Sequence, residues 1–593
     1  MGRFLAVGVA LLLLATPVAG ASGATYVVLE LRDRAELAAL TRLVSIDRVE
    51  GDRAWAYAWP PQLERLRSLG YRFREVEQPP RPKTLRMGLL ERAKSGSWDA
   101  YPTYAEYVQM MEAFASDHPD LCRLVDLGAT TNQARPHRLL AVKISDNPQA
   151  EEDEPEVFLT SSMHGDEVTG YVLLLRLVDE LLNRYDPAST QPYEQRITAL
   201  VDGLEIWVNP LANPDGTYLE RDDTVATATR FFVDATGNEA WVDPNRNFPD
   251  PAAGDHPDGN PWWGETMAMM TFASQRSFAL SVNLHGGAEV VNYPWDTWAR
   301  LHVDTDWFVS LSRAYADRAQ AAASAPPYSD FSYLTDLDDG ITNGYAWYRV
   351  TGGRQDFMTY WHGCRETTIE ISGVKMPTAD RLPRYWDYNR DALLGYLEGA
   401  ERGVRGVVTD ASGAPLDASV VVAWHDSQAD QSWVHTDPEV GDFHRLLLPG
   451  SYWLVVSAEG FLAEVRPAEV GTRAATRVDV TLEPDRGLTT ALEGSVLSAA
   501  TGLPISGARV ELVYPQQTTL VTAADGTFVV PSLPEGGVLA EVSAAGYAPV
   551  RLGAAARSPR LDLEVSLLRE VDVWGDGGLR DGSEVRRLDV EEP

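Results

Sequence analysis

The feature that most restricts how this chain can fold is a change of pattern at Gly403. Before it, strand-like and helix-like segments alternate; after it, helical patterns stop and only short alternating strands remain, separated by Gly, Pro and Asp. Alternation of the first kind predicts an α/β domain with a mixed, mostly parallel sheet covered by helices on both faces. The strand candidates are Leu139 to Ile144, Val157 to Ser161, Leu204 to Val208, Phe278 to Leu284 and Thr368 to Ile371, with a well-patterned helix from Val168 to Asn183. The second kind predicts antiparallel β-sandwiches. Two copies are visible: Gly406-Val407-Val408 with Gly413-Ala414-Pro415-Leu416 matches Gly494-Ser495-Val496 with Gly502-Leu503-Pro504-Ile505. Internal repetition of this kind marks one small unit used twice.

Ahead of the α/β region, residues 24–78 read as strand, helix, strand, strand, helix, strand, the order of a small ferredoxin-like α+β unit that could serve as a propeptide. The N-terminus carries Arg3, an apolar run from Phe4 to Leu14 and small residues through Val18-Ala19-Gly20-Ala21, the layout of a cleaved secretory signal. The expected organisation is therefore a signal peptide (1–23), the ferredoxin-like unit (24–78), a linker (79–97), the α/β domain (98–401), two sandwiches (402–485 and 486–569) and an acidic flexible tail (570–593). The expected location is secreted or periplasmic. No later segment is apolar for long enough to span a membrane.

Acidic residues number 86 against 51 basic ones, a net charge of -35. Nucleic acid is excluded as a partner, because phosphate binding needs a basic footprint. Cys122 and Cys364 are the only cysteines, and the sequence leaves open whether they pair.

Within the α/β region, His164 and Glu167 in Ser162-Met163-His164-Gly165-Asp166-Glu167 follow one strand immediately, and His285 in Asn283-Leu284-His285-Gly286-Gly287 closes another. In open α/β sheets ligands collect beyond the carboxyl ends of strands, so the three can converge. Two His and one Glu with a fourth position open form a catalytic zinc set; cobalt or nickel would also suit these ligands. Glu370 lies in the β-branched run Thr367 to Ser372, where a carboxylate is costly to bury without a partner or a task. In the sandwiches, His425, His435 and His444 lack ligand spacing and read as ordinary β-surface residues.

Five ordered blocks resemble the zinc metallocarboxypeptidase family, its regulatory branch most closely: His164-Gly165-Asp166-Glu167, Asn213-Pro214-Asp215-Gly216, Asn245-Arg246-Asn247-Phe248-Pro249-Asp250, Asn283 to Gly287 with Asn292-Tyr293-Pro294-Trp295-Asp296, and Gly353-Arg354-Gln355-Asp356-Phe357 leading to Glu370. The sandwiches resemble that branch's transthyretin-like and regulatory-like domains. The resemblance implies one zinc ion per chain on His164, Glu167 and His285. It also implies Glu370 as general base, Arg230 as partner of the carbonyl oxygen, and Asn245 and Arg246 as binders of a substrate carboxylate. Tyr360 would close over the substrate terminus, with Tyr348 or Tyr345 as alternatives, and Asp296 would confer a preference for C-terminal Lys or Arg. Peptide or protein C-termini are the implied partners, and the sandwiches are expected to offer surfaces to other proteins. Two rival readings stand beside this one: a zinc amidohydrolase of cell-wall peptides, and a secreted binding or adhesion protein without catalysis.

Overall fold

The structure is a computed structural model that describes residues 24–33, 35–78, 85–569 and 585–587. The signal-peptide expectation lies outside the described residues, as do residues 79–84 of the expected linker and most of the tail. Residues up to Pro80 and residues from Arg81 onward are two separate compact units.

The N-terminal unit has the expected order. Strands β1 (Thr25–Glu30), β2 (Ser45–Glu50), β3 (Arg53–Ala58) and β4 (Phe73–Glu75) form one antiparallel sheet in the order β2-β3-β1-β4, with helices Ala35–Leu40 and Pro60–Ser68 between them. Its core is Val27, Leu29, Leu37, Leu40, Ile46, Leu63 and Leu66, all buried. This is a ferredoxin-like arrangement.

In the second unit the sheet has eight strands: β5 (Cys122–Ala129), β6 (Arg138–Ile144), β7 (Glu156–Ser161), β8 (Glu205–Asn209), β9 (Phe278–His285), β10 (Glu289–Tyr293), β11 (Ile341–Asn343) and β12 (Arg365–Ile371). Their order is β11-β10-β12-β9-β7-β8-β6-β5. The central run β12-β9-β7-β8 is parallel. These strands alternate faces as a pleated strand must. Val157, Leu159, Ile206 and Val208 pack with helices Thr169–Arg184, Thr305–Ser324 and Leu382–Leu397, whereas Phe158, Trp207 and Phe278 pack with helices Gly264–Ser274 and Arg354–His362. Helices therefore cover both faces, as expected for a sheet rich in Val, Ile and Leu.

Two expectations need correction here, and one open question is answered. Residues from 85 to 97 are not a linker: Leu89–Lys94 is a helix, and Leu89 sits fully buried in the α/β core beside Trp98. In the tail, Val585–Arg587 forms a strand against Arg560–Leu567. Cys122 and Cys364 are separate buried thiols, and burial raises the pKa of both.

Each sandwich is two four-stranded sheets, mostly antiparallel, with a parallel seam where the first strand meets the last: Val404–Asp410 beside Thr476–Arg477 and Val480–Leu482, and Thr489–Ser498 beside Arg560–Leu567. The repeat seen in sequence is a repeat of register, since Gly406 pairs with Phe443 as Gly494 pairs with Phe528.

The first sandwich is locked to the α/β domain through Asp304, which lies just ahead of the helix Thr305–Ser324 and is almost fully buried. Asp304 accepts hydrogen bonds from Arg365 Nη2 at 2.6 Å, Arg445 Nη2 at 3.0 Å and His425 Nε2 at 2.6 Å. Arg445 also reaches Asp426 at 2.6 Å. His425 and His444 are thus not ordinary surface residues: His425 bridges the two domains, and His444 is buried against Asp442 at 2.7 Å. A β-surface reading fails where a second domain covers the surface. No helix among the described residues is long and apolar enough to cross a membrane.

Candidate active site

The ends of β7, β9 and β12 place the chemistry. His285 is the last residue of β9 and pairs in register with Glu370 on β12, so adjacent parallel strands carry both side chains to one face. After β7 the chain reverses at Ser162, whose backbone is left-handed (φ 55°) and whose hydroxyl donates to the Glu167 carbonyl at 2.7 Å. That turn brings His164 and Glu167 back over the sheet edge. Gly165 between them has no room for a side chain: a Cβ there would lie 2.5 Å from the Gly216 carbonyl carbon and 2.6 Å from the Thr229 carbonyl oxygen. The Asn213-Pro214-Asp215-Gly216 turn and the irregular segment leading to Arg230 therefore stack directly on the His-Gly-Asp-Glu segment.

His164, Glu167 and His285 are buried and offer ligand atoms all within 4.8 Å of one another. His164 Nδ1 lies 3.0 Å from Glu167 Oε1, His285 Nδ1 lies 2.8 Å from Glu167 Oε2, and the two Nδ1 atoms are 3.2 Å apart. Two imidazole nitrogens at that separation cannot both carry protons comfortably, so a lone pair points into the gap. Burial lowers His285 to about 4 and keeps its ring neutral. Burial opposes ionisation of Glu167, but His164 and Lys375 outweigh it and hold the carboxyl well below its usual range. Two imidazole nitrogens and one carboxylate oxygen fit a zinc ion with an open fourth position.

The ligands are themselves oriented, as such ligands generally are. His164 Nε2 faces Asp243 Oδ1 at 3.0 Å, and His285 Nε2 faces the Asn283 side-chain amide at 2.8 Å. Asp243 also accepts from the Asn245 backbone at 2.9 Å and from Arg230 Nε at 3.3 Å. Burial raises Asp243, yet Arg230, His164 and Arg246 together hold it well below the usual carboxylate range. Asp243 and Lys375, whose ammonium lies 3.2 Å from Glu167, are functional neighbours that motif reading passed over. The signal for Asp243 was its place two residues ahead of Asn245-Arg246.

The remaining candidates separate into two groups. Arg230 lies in the cluster, 3.1 Å from Glu167. Arg246 is 5% exposed; its Nη1 donates to the Asn245 carbonyl at 2.7 Å, while buried Nε and Nη2 have no hydrogen-bond partner among the described residues. Asn245 Oδ1 accepts from the Arg354 backbone at 3.0 Å. Asp296 is buried, accepting from Asn292 Nδ2 at 3.0 Å and Gln355 Nε2 at 3.2 Å, and burial lifts its carboxyl to about 6. Tyr360 is not brought to this cluster. Its ring packs against Trp295 and Trp298, at 6.2 and 5.7 Å between centroids, because the helix Arg354–His362 turns that side toward the loop after β10. Tyr348 lies instead among the charges of this cluster: burial raises its hydroxyl, and Arg246, Arg230, Glu370 and Asp296 all act on it.

The zinc carboxypeptidase profile matches residues 107–392, which contain every residue of this cluster, and the carboxypeptidase regulatory-like profile matches 403–483 and 491–567. Carboxypeptidase M of Mus musculus is 33% identical over 370 residues, covering 59% of this chain and 77% of that protein. The catalytic chain of carboxypeptidase N of Rattus norvegicus is 31% identical over 409 residues, covering 64% and 85%. The chain belongs to the zinc carboxypeptidase family. Carboxypeptidase D of Mus musculus is 34% identical over 381 residues, 63% of this chain, but the match spans about a quarter (26%) of that longer relative. The family implies a zinc ion, and the ligand chemistry of His164, Glu167 and His285 suits one.

Proposed function

We propose that this chain is an exported zinc-dependent carboxypeptidase that hydrolyses the last peptide bond of peptides or proteins, preferring C-terminal Lys or Arg. The observation that carries this reading is Arg246, a buried guanidinium with two nitrogens unpartnered among the described residues, beside the His164, Glu167 and His285 cluster. A planar guanidinium with free N–H groups suits a carboxylate, and an exopeptidase must recognise one.

His164, Glu167 and His285 would hold one zinc ion, which supplies Lewis acidity to the scissile carbonyl and lowers the pKa of the attacking water toward 7. Glu370 takes the proton from that water as it attacks, and later gives a proton to the departing amine nitrogen. Arg230 faces the carbonyl oxygen as it gains charge. Arg246 and Asn245 hold the terminal carboxylate, and the Tyr348 hydroxyl closes over it. Asp296 receives the cationic end of the last side chain; that cation compensates the burial that lifts the Asp296 carboxyl.

The test is terminal-residue release from hippuryl-Arg and hippuryl-Phe, with and without a chelator. Both are expected to be cleaved, the arginine substrate faster, with activity lost to the chelator and restored by zinc. Absence of chelator-sensitive release from either would sink the reading. The basic preference has its own check at Gly344, where an added Cβ would overlap Asp296 Oδ1 and lie 2.8 Å from Asn292 Oδ1. Gly344→Ala should displace the Asp296 carboxylate at a cost of about 1–3 kcal/mol. The expected readout is a fall in the Arg-over-Phe preference with little change for hippuryl-Phe.

A further inference from the structure

The residues that follow β10, from Pro294 to Asp304, form no helix or strand, yet they carry Asp296. A loop without backbone ladders must be held by other means if its carboxylate is to meet a substrate side chain in fixed geometry. Inside the α/β domain one clamp is plain: Asp356 accepts from the backbone nitrogens of Asp296 at 3.0 Å and Thr297 at 2.8 Å.

The second clamp comes from the first sandwich. Asp430, 1% exposed, accepts from the Trp295 indole nitrogen at 3.1 Å and from the Val303 backbone nitrogen at 3.1 Å, and pairs with Arg300. Arg300 Nη2 also donates to the Ala429 carbonyl at 2.7 Å. One carboxylate thus grips the beginning, middle and end of the loop. Its first contact is the residue next to Asp296. Trp295 is itself fully buried, so its indole cannot turn to water for a replacement acceptor. The gripping segment is in turn fixed: Ser432 donates to Asp426 at 3.1 Å and its carbonyl accepts from Arg365 at 2.6 Å, while Arg551 of the second sandwich lies 4.8 Å over the Trp424 ring.

We infer that Asp430 is a positioning residue for the basic-side-chain pocket, so that the first sandwich forms the outer wall of the specificity loop rather than an appended module. The inference rests on the proposed preference for C-terminal Lys or Arg. Asp430 acts on the pocket through Trp295, the neighbour of Asp296.

The experiment compares the full-length parent with Asp430→Ala by hydrogen exchange and by kinetics on hippuryl-Arg and hippuryl-Phe. Exchange in peptides covering 294–303 is expected to rise about tenfold while the sheets of both domains keep their protection. KM for hippuryl-Arg should rise about tenfold, a loss of the size expected when a substrate-positioning group is misplaced. Its kcat and both constants for hippuryl-Phe should stay within about twofold, because the reacting groups are untouched. Asp430→Asn keeps the volume and an acceptor for the indole; it should fall between the two, and it carries the same test if the alanine variant does not fold. Unchanged exchange in 294–303 overturns the inference outright, and so does faster exchange with an unaltered KM for hippuryl-Arg. A parent that shows no preference for arginine defeats the basic-pocket reading and the specificity role inferred from it, while the exchange data still decide whether Asp430 holds the loop.

Discussion

Glu370→Gln is expected to bind zinc like the parent and to lose turnover by about 10²–10⁴-fold, the range for removing a general acid–base group. Glu370 pairs with His285 on one side and Val290 on the other, so sheet register sets where its side chain begins. Glutamine has the same length and volume and leaves that register alone. It differs only in being unable to take a proton from water or return one to an amine. The loss should therefore fall on kcat and on kcat/KM alike, since the substrate contacts proposed for Arg246 and Asn245 are left in place. Elemental analysis of the purified variant gives the metal content. Turnover within a few-fold of the parent would remove Glu370 from the role of base.

The parts of the site that sequence could show are those compressed into short blocks at strand ends. His164, His285 and Glu370 sit within three residues of the end of β7, β9 or β12, and Glu167 follows six residues after β7 in the same short block. Tyr348 and Tyr360 could not be separated that way. Both lie in aromatic, polar surroundings, and only the packing of the helix Arg354–His362 decides that one faces Trp298 and the other faces the charges of Arg246 and Glu370. Asp243 looks like any aspartate before a proline. Its burial between His164 and Arg230 is a property of three segments meeting.

The same distinction holds for the fold. Strands β6, β7, β8 and β9 are largely apolar runs and β12 is rich in β-branched residues, so all five were legible to within a few residues. Strands β10 and β11 were not, because Glu289–Tyr293 is short and edged with polar residues and Ile341–Asn343 has three residues. The docking of the first sandwich left no local mark at all, since Asp304 meets partners 61, 121 and 141 positions away.

That docking network carries the largest stability effect expected from one residue. Asp304→Ala removes a buried carboxylate and leaves Arg365, Arg445 and His425 facing each other at the domain junction. Breaking a buried ion group by deleting one partner costs about 3–5 kcal/mol, and for a domain of this size that is a fall in melting temperature on the order of 10 °C. Burial alone would raise the Asp304 pKa; Arg445 and Arg365 outweigh it and hold the carboxyl well below its ordinary value. A depressed carboxylate contributes stability above its unfolded pKa of about 3.9 and loses it as pH falls through the folded value. The gap between parent and variant should accordingly be full at pH 5 to 8 and close only in stronger acid. A quadruple variant, Asp304→Leu with Arg365→Met, Arg445→Met and Asp426→Asn, replaces the charges together, Asp426 being the other carboxylate on Arg445, and should recover much of the loss, because the cost lies in stranding charges rather than in lacking them. Thermal unfolding of the three proteins across that pH range decides the matter, and a single variant as stable as the parent would show that the junction does not depend on Asp304.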